Sequence, residues 1–263
     1  MSDNLQKTRD IIKTSGNNFH SKVVKYFQDR GWTVQISPYY TDTFSNKPRE
    51  IDIIAEKAFE FRDRFHTDKG TINVQLLLEC KYINGINVFW FHTKDQFKAS
   101  KLVKKILKLH DDNMYVEEFH YMAGHEKVAK FFASQKGKAT ENEPFFKAIN
   151  QTLNAYLFFR SGKTIIQSKR DQSPYISRFV RYPVIICNNF DMLFKTEMGQ
   201  QADPEKIREN FLLEIQYAYI KPGGSSQTEY FLIDVVDFDQ LDKFLENINN
   251  DVKIINFLTA SRG

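Results

Sequence analysis

Two short segments place charged side chains inside apolar runs. The first is Pro48-Arg49-Glu50-Ile51-Asp52-Ile53-Ile54-Ala55; the second is Leu76-Leu77-Leu78-Glu79-Cys80-Lys81. An ionised group in such surroundings is costly to bury unless an opposite charge or a metal compensates it. Read as a strand, the second segment directs Glu79 and Lys81 to one face and Cys80 to the other. Asp52 follows a Pro-containing turn and starts an apolar strand, so pairing of the two strands would bring Asp52, Glu79 and Lys81 together. Two carboxylates beside an ammonium suit a hard, oxygen-seeking cation such as Mg²⁺, and the lysine can orient or deprotonate a water aimed at a phosphate. The competing reading is a structural salt-bridge set of Glu50, Asp52, Glu79 and Lys81. An exposed pair contributes only about 0–1 kcal/mol and does not call for such apolar flanks.

The flanking sequence supplies elements that could position these groups. Residues 17–30 read as a helix with Phe19, Val23, Val24 and Phe27 on one side and Gly31 as its stop. His20 falls in that apolar sector, away from Lys22 and Lys25. Strands are expected over 32–39, 50–57 and 73–82, with a charged, turn-rich stretch at 58–70. An antiparallel meander of the three sets Asp52 against Glu79. The next helix, 94–109, carries Lys94, Lys98, Lys101, Lys105 and Lys108 at spacings of four and three, opposite Leu102, Val103, Ile106, Leu107 and Leu109. Such a stripe either follows a phosphate backbone or is a solvated amphipathic face. A strand at 115–122 and a helix at 125–135, packed through Val128, Phe131 and Phe132, are expected next.

In this order, a helix, an extended segment, a strand bearing Asp and a strand bearing Glu-x-Lys resemble the PD-(D/E)XK, or restriction-endonuclease-like, nucleases. Arg49-Glu50-Ile51-Asp52 and Leu78-Glu79-Cys80-Lys81 look most like the Mrr-type and Holliday-junction-resolvase branches. The resemblance implies an α/β fold, an α+β mixed sheet with an α-β-β-β-α-β core, over residues 1–136. It also implies a Mg²⁺-dependent endonuclease acting on DNA, with Mn²⁺ as a substitute cation. Asp52 and Glu79 would bind the metal and Lys81 would position or activate the water. His20 stands where many members carry Glu; it would bind metal or shuttle a proton, or be a half-buried core histidine. Gln96 is an auxiliary candidate, because some Mrr-like relatives have a glutamine early in this helix. The five lysines would hold the DNA backbone, and a homodimer follows by analogy from double-strand cutting. The alternative is a nuclease-fold protein, weak or inactive in catalysis, that binds nucleic acid or a protein partner.

A chain of 263 residues buries a substantial core and forms one large domain or two smaller ones. Its net charge of +4 is too small to indicate nucleic-acid binding by itself, so the distribution of charge must carry that argument. No run approaches the roughly 18–20 apolar residues of a membrane span, and the polar start is no secretory signal, so a soluble, cytoplasmic protein without a membrane partner is expected. Cys80 and Cys187, in apolar strand-like runs, read as buried free thiols. There is no phosphate-binding or dinucleotide glycine motif, hence no expected nucleotide cofactor. The polar stretch 135–144 reads as a linker, and 137–263 as an α+β extension or second domain for target recognition or self-association, or as an elaboration of the same sheet. Within it a helix is expected at 144–160, strands at 182–189, 210–220 and 229–236, a helix at 239–247 and a short apolar run at 252–258.

Overall fold

A strand whose residues are apolar on both sides must be covered on both faces, and residues 74–78 make that demand. The computed structural model describes residues 2–42, 45–62, 68–107, 120–134, 144–160, 176–200, 203–221 and 224–260. In chain order its elements are α1 (Ser2–Thr14), α2 (Gly16–Asp29), β1 (Thr33–Ile36), β2 (Tyr39–Thr41), β3 (Pro48–Glu50), β4 (Ile53–Arg62), β5 (Asp68–Lys81), β6 (Asn87–Thr93) and α3 (Gln96–Leu107). They continue with α4 (Tyr121–Gly124), β7 (Lys127–Ser134), α5 (Pro144–Phe159), β8 (Ile176–Cys187), β9 (Leu193–Glu197), β10 (Glu205–Lys206), β11 (Phe211–Ile220), β12 (Ser226–Asp237) and α6 (Leu241–Ala260). The result is a mixed α/β protein with one ten-stranded sheet ordered β1-β4-β5-β8-β12-β11-β7-β6-β9-β10, while β2 and β3 pair separately.

The two faces are covered by different helices. Ile72, Val74, Leu76 and Leu78 of β5 pack with Phe19, Val23 and Phe27 of α2, Leu102 and Val103 of α3, and Phe244 and Ile248 of α6. Leu77 points the other way, into a layer formed with Ala148, Ile149, Leu153 and Tyr156 of α5. Every one of these β5 side chains is fully buried. No helix of the described residues is long and apolar enough to cross a membrane.

Helix α2 ends as its sequence requires. Gly31 adopts φ +72°, its N–H bonds to Gln28 O at 3.0 Å, and Trp32 N–H reaches Phe27 O at 3.1 Å. The Trp32 ring then packs edge-on against Phe27, with centroids 5.6 Å apart. This is a Schellman close with its hydrophobic contact. It turns the chain directly into β1, which pairs antiparallel with β4.

Several expectations need correction. The helix expected at 125–135 is strand β7, antiparallel to the unassigned strand β6. Trp90 pairs with Phe131 and Phe91 with Ala129, so Lys130 is an extra, bulged residue. The bulge breaks the two-residue alternation and leaves Val128, Phe131 and Phe132 at spacings that imitate a helical stripe. Of the strand expected at 115–122, residues 115–119 lie outside the described residues, while Tyr121 and Met122 belong to the single turn α4, capped by the His120 ring accepting from Met122 N–H at 3.2 Å. The run 252–258 continues α6 rather than forming a separate element. Of the linker stretch, 135–143 lies outside the described residues.

The sheet runs straight across the division between 1–136 and 137–263. β8 pairs parallel with β5 from Gly70↔Ile176 to Lys81↔Cys187, and α5 covers the Leu77 face. Of the readings for the second half, elaboration of the same sheet describes what is seen. A fragment of residues 1–136 leaves β5 without a neighbour on one edge and without cover on one face. It is expected to give no cooperative unfolding transition by circular dichroism while the full chain does; a cooperative transition in the fragment would show the halves to be separable.

Candidate functional site

The register between β4 and β5 builds the site. Ile53 pairs with Leu78, which sets the preceding residue, Asp52, across from Glu79 at the end of β5. Asp52 is held from three sides. Its Oδ2 accepts the Cys80 N–H at 2.7 Å; its backbone carbonyl accepts the Ser37 N–H at 2.8 Å and the His20 Nε2–H at 2.9 Å. Ser37 adopts φ +48°, a left-handed conformation sparsely used outside glycine, at the bend where β1 leaves the sheet.

Glu79 is fully buried, with its side chain on the α5 face beside that of Lys81. Lys81 Nζ donates to Glu79 Oε2 at 3.0 Å, and the lysine side chain retains 16% exposure. Glu79 Oε1 has no partner in good hydrogen-bond geometry, although the Asp52 backbone N–H is near enough to the carboxylate to favour its charged form. Burial pushes the Glu79 carboxyl up to about 8; the Lys81 charge opposes this and the Asp52 carboxylate adds to it. Asp52, Glu79 and Lys81 thus converge as the sequence implied.

His20 reaches the site through the Asp52 carbonyl. A carbonyl can only accept, so Nε2 carries the proton and is engaged, which makes His20 a positioning group for Asp52.

Gln96 is not brought to the site. Its Nε2 donates to Ala123 O at 3.1 Å at the end of α4, and α3 packs on the sheet face opposite Glu79. Another glutamine approaches instead. The buried Tyr40 donates its hydroxyl to Gln151 O at 3.1 Å and feels the Glu79 charge, while Gln151 Nε2 donates to Glu50 O at 3.2 Å. Gln151 Oε1 is buried without a partner. Nothing in the spacing of α5 singles this residue out; only the packing of α5 over β5 does.

The lysine stripe lies away from the candidate site, and its members have different surroundings. Lys94 is buried and donates to Met122 O at 2.6 Å and Ala123 O at 2.7 Å, satisfying carbonyls that the short turn α4 leaves open. Its burial lowers its pKa to about 8. Lys98 pairs with Asp95 at 2.8 Å and Lys105 with Glu229. Lys101 is exposed on α3, and Lys108 lies outside the described residues.

Two other clusters compete for attention. His120, Asp251 and Tyr182 form a buried set, with His120 Nε2 3.0 Å from Asp251 and the Tyr182 hydroxyl donating to it at 2.8 Å. Their burial between α4, α6 and the sheet closes them to any substrate. A cleft of about 750 Å³ lies near β9 and β10; of its lining charges, Lys127 pairs with Glu197 at 2.8 Å and Lys195 with Glu205 at 3.3 Å.

The donor chemistry at Asp52 and Glu79 fits Mg²⁺. Among the described residues no set of three or more His, Cys, Asp or Glu side chains gathers to cage a metal. Mg²⁺ does not require one, because it keeps several waters and commonly takes one or two carboxylates plus phosphate oxygens. Glu79 Oε1, buried and without a partner in good hydrogen-bond geometry, is the observation that a cation would satisfy.

The raised Glu79 pKa has a measurable consequence in the metal-free protein. The folded group stays protonated to about pH 8, against an ordinary value of 4.5. Its contribution to stability is therefore full below the ordinary value and is lost as pH rises through about 8. In the presence of a chelator, wild type should lose stability relative to Glu79→Gln between pH 5 and 8, by at most about 1.4 kcal/mol per pH unit. Denaturant titrations across that range check this, and parallel pH curves for the two proteins would refute it.

Comparison of the chain with protein-family models, with curated proteins and with solved structures gives no match.

Proposed function

We propose that this chain is a Mg²⁺-dependent endonuclease of the restriction-endonuclease-like class acting on DNA, with Mn²⁺ able to substitute. The observation that carries the reading is the buried Glu79 carboxyl, with one oxygen on Lys81, the other without a partner in good hydrogen-bond geometry, and Asp52 opposite. A buried oxygen without a partner is a cost that a bound cation would remove, and a buried carboxyl kept for stability alone would be a poor device. The order of elements adds support: α2, the antiparallel strands β1, β4 and β5, then α5 and β8, follows the helix, three strands, helix and strand that the resemblance implies. In this reading β6, α3, α4 and β7 are an insertion before the second core helix.

Asp52 and Glu79 would hold the cation, which when bound polarises the phosphoryl oxygen and neutralises charge that develops there. Glu79 must give up its proton to do so, and the nearby ammonium of Lys81 favours that loss. Lys81, tethered to Glu79 and still partly exposed, positions the attacking water. The Cys80 N–H and the His20 ring fix the Asp52 carboxylate and backbone, so that no reorientation is needed when substrate arrives. A homodimer with two such sites would allow cleavage of both strands.

Nicking of supercoiled plasmid in Mg²⁺ or Mn²⁺ tests the proposal. Wild type is expected to nick; Asp52→Ala, Glu79→Ala and Lys81→Ala should each lose about 10²-fold or more, with folding verified by circular dichroism. No cleavage by wild type with either metal would instead favour a nuclease-fold protein that binds without cutting.

A further inference from the structure

Cationic side chains from three separate elements gather around the carboxylate of Glu229, near the turn that joins β11 to β12. Glu229 Oε2 accepts Arg160 Nη1–H at 2.9 Å and the Tyr219 hydroxyl at 2.8 Å, and Oε1 accepts from Lys105 Nζ. Arg160 Nη2 also donates to the Tyr219 hydroxyl at 2.6 Å, with its guanidinium carbon 5.1 Å from the centre of that ring. Lys105 comes from α3, Arg160 from the end of α5, and Tyr219 and Glu229 from the hairpin itself.

Two more lysines border this point. Lys101 precedes Lys105 by four residues, one turn along the same side of α3, and Lys221 follows Tyr219 by two residues at the end of β11. Both are exposed, and neither has a carboxylate partner among the described residues. The turn fixes the backbone of Lys221, whose N–H bonds to Ser225 O at 2.9 Å and whose carbonyl accepts Gly224 N–H at 3.0 Å. Burial, and then the charges of Arg160, Lys221 and Lys101, lower the Lys105 pKa to about 8. Among the described residues, four cations thus meet one carboxylate here. A bound anion would offset that excess of like charge.

Strand register separates this cluster from the Asp52–Glu79–Lys81 site. Val235 of β12 and Glu79 of β5 both pair with Ile185, and the three strands run parallel, so the two residues stand at one level of the sheet. Glu229 lies six residues back along β12, about 20 Å of strand, toward the end away from Lys81. The donors suit a phosphate. An arginine fork binds its oxygens in pairs, lysines add point charges, and a phosphate brings more acceptor oxygens than the single carboxylate can offer.

We propose that Lys101, Lys105, Arg160 and Lys221 form a phosphate-binding site at the turn between β11 and β12, apart from the candidate catalytic site. Its ligand is a phosphate group, carried by a nucleic-acid backbone or free in solution, and the site stands whether or not Asp52 and Glu79 support cleavage.

The test uses the full-length protein and two probes. A short fluorescein-labelled DNA duplex is followed by anisotropy over a range of salt with chelator present, and inorganic phosphate is followed by melting temperature against chloride of equal ionic strength. Lys101→Gln/Lys221→Gln should weaken duplex binding by about tenfold and flatten the plot of log affinity against log salt by about 2. Lys101→Arg/Lys221→Arg keeps both charges and should bind as wild type does, which separates loss of charge from misfolding. Lys147→Gln/Lys253→Gln removes the same charge at exposed positions on α5 and α6 and should leave the slope unchanged. If free phosphate is the ligand, duplex binding will be alike in all variants, and inorganic phosphate will raise the melting temperature of wild type but not of Lys101→Gln/Lys221→Gln. A Lys101→Gln/Lys221→Gln protein that responds as wild type does to both probes would overturn the proposal. So would equal weakening of duplex binding by Lys147→Gln/Lys253→Gln, because net charge alone would then account for it.

Discussion

An ionisable carboxyl group buried within a central strand imposes conditions on everything around it. Glu79 lies in β5, with β4 on one side and β8 on the other, and its side chain projects into the layer covered by α5. That enclosure raises its pKa to about 8, and it makes Lys81, two residues along on the same face, a near neighbour in low dielectric. The enclosure is built by both halves of the chain. Without β8 and α5 the carboxyl would face water, its pKa would fall toward the ordinary range, and the Lys81 contact would become a screened surface pair of little worth.

The same face of the sheet carries a second buried polar group sequence, away from Glu79. The side chain of Gln75 donates to Glu56 on β4, and Arg181 Nε on β8 donates to Gln75 Oε1 at 2.7 Å. Gln75, Leu77 and Glu79 alternate down one face of β5 and link it to both neighbours. A network of this kind is costly to leave half satisfied, so it favours one pairing of these three strands over alternatives displaced by a residue. The opposite face is apolar around α2 and α3, with its polar set of His120, Tyr182 and Asp251 gathered under α4 and α6. Some of the positive charge is used inside the fold: Lys94 and Arg181 are buried and serve structural partners.

The site was legible where its chemistry depends on local rules. Two-residue alternation placed Glu79 and Lys81 together, a Gly-Trp stop ended α2, and apolar runs located β4 and β5; each follows from backbone geometry within a few residues. The lysine helix shows the limit of such reasoning. Its periodicity was real and α3 is there, but periodicity reports only which residues share a side of a helix. It cannot report which face of the sheet that helix covers or whether a lysine meets water, a carboxylate or the open carbonyls of α4. Strand β7 failed for a different reason, because a single bulged residue, Lys130, erased the alternation that would have identified it.

By itself, then, the sequence determined the elements of the candidate site and the facing of its charged groups, since these depend on dihedral preferences and on the cost of burying charge. Tertiary structure alone decided that the second half supplies β8 and α5 to the same sheet, that His20 holds Asp52 by its carbonyl, and that Gln151 rather than Gln96 comes over the Glu79 face. Those outcomes depend on strand order and on helices crossing from distant parts of the chain. Such long-range pairings are selected by the summed burial of many side chains, which no local pattern records.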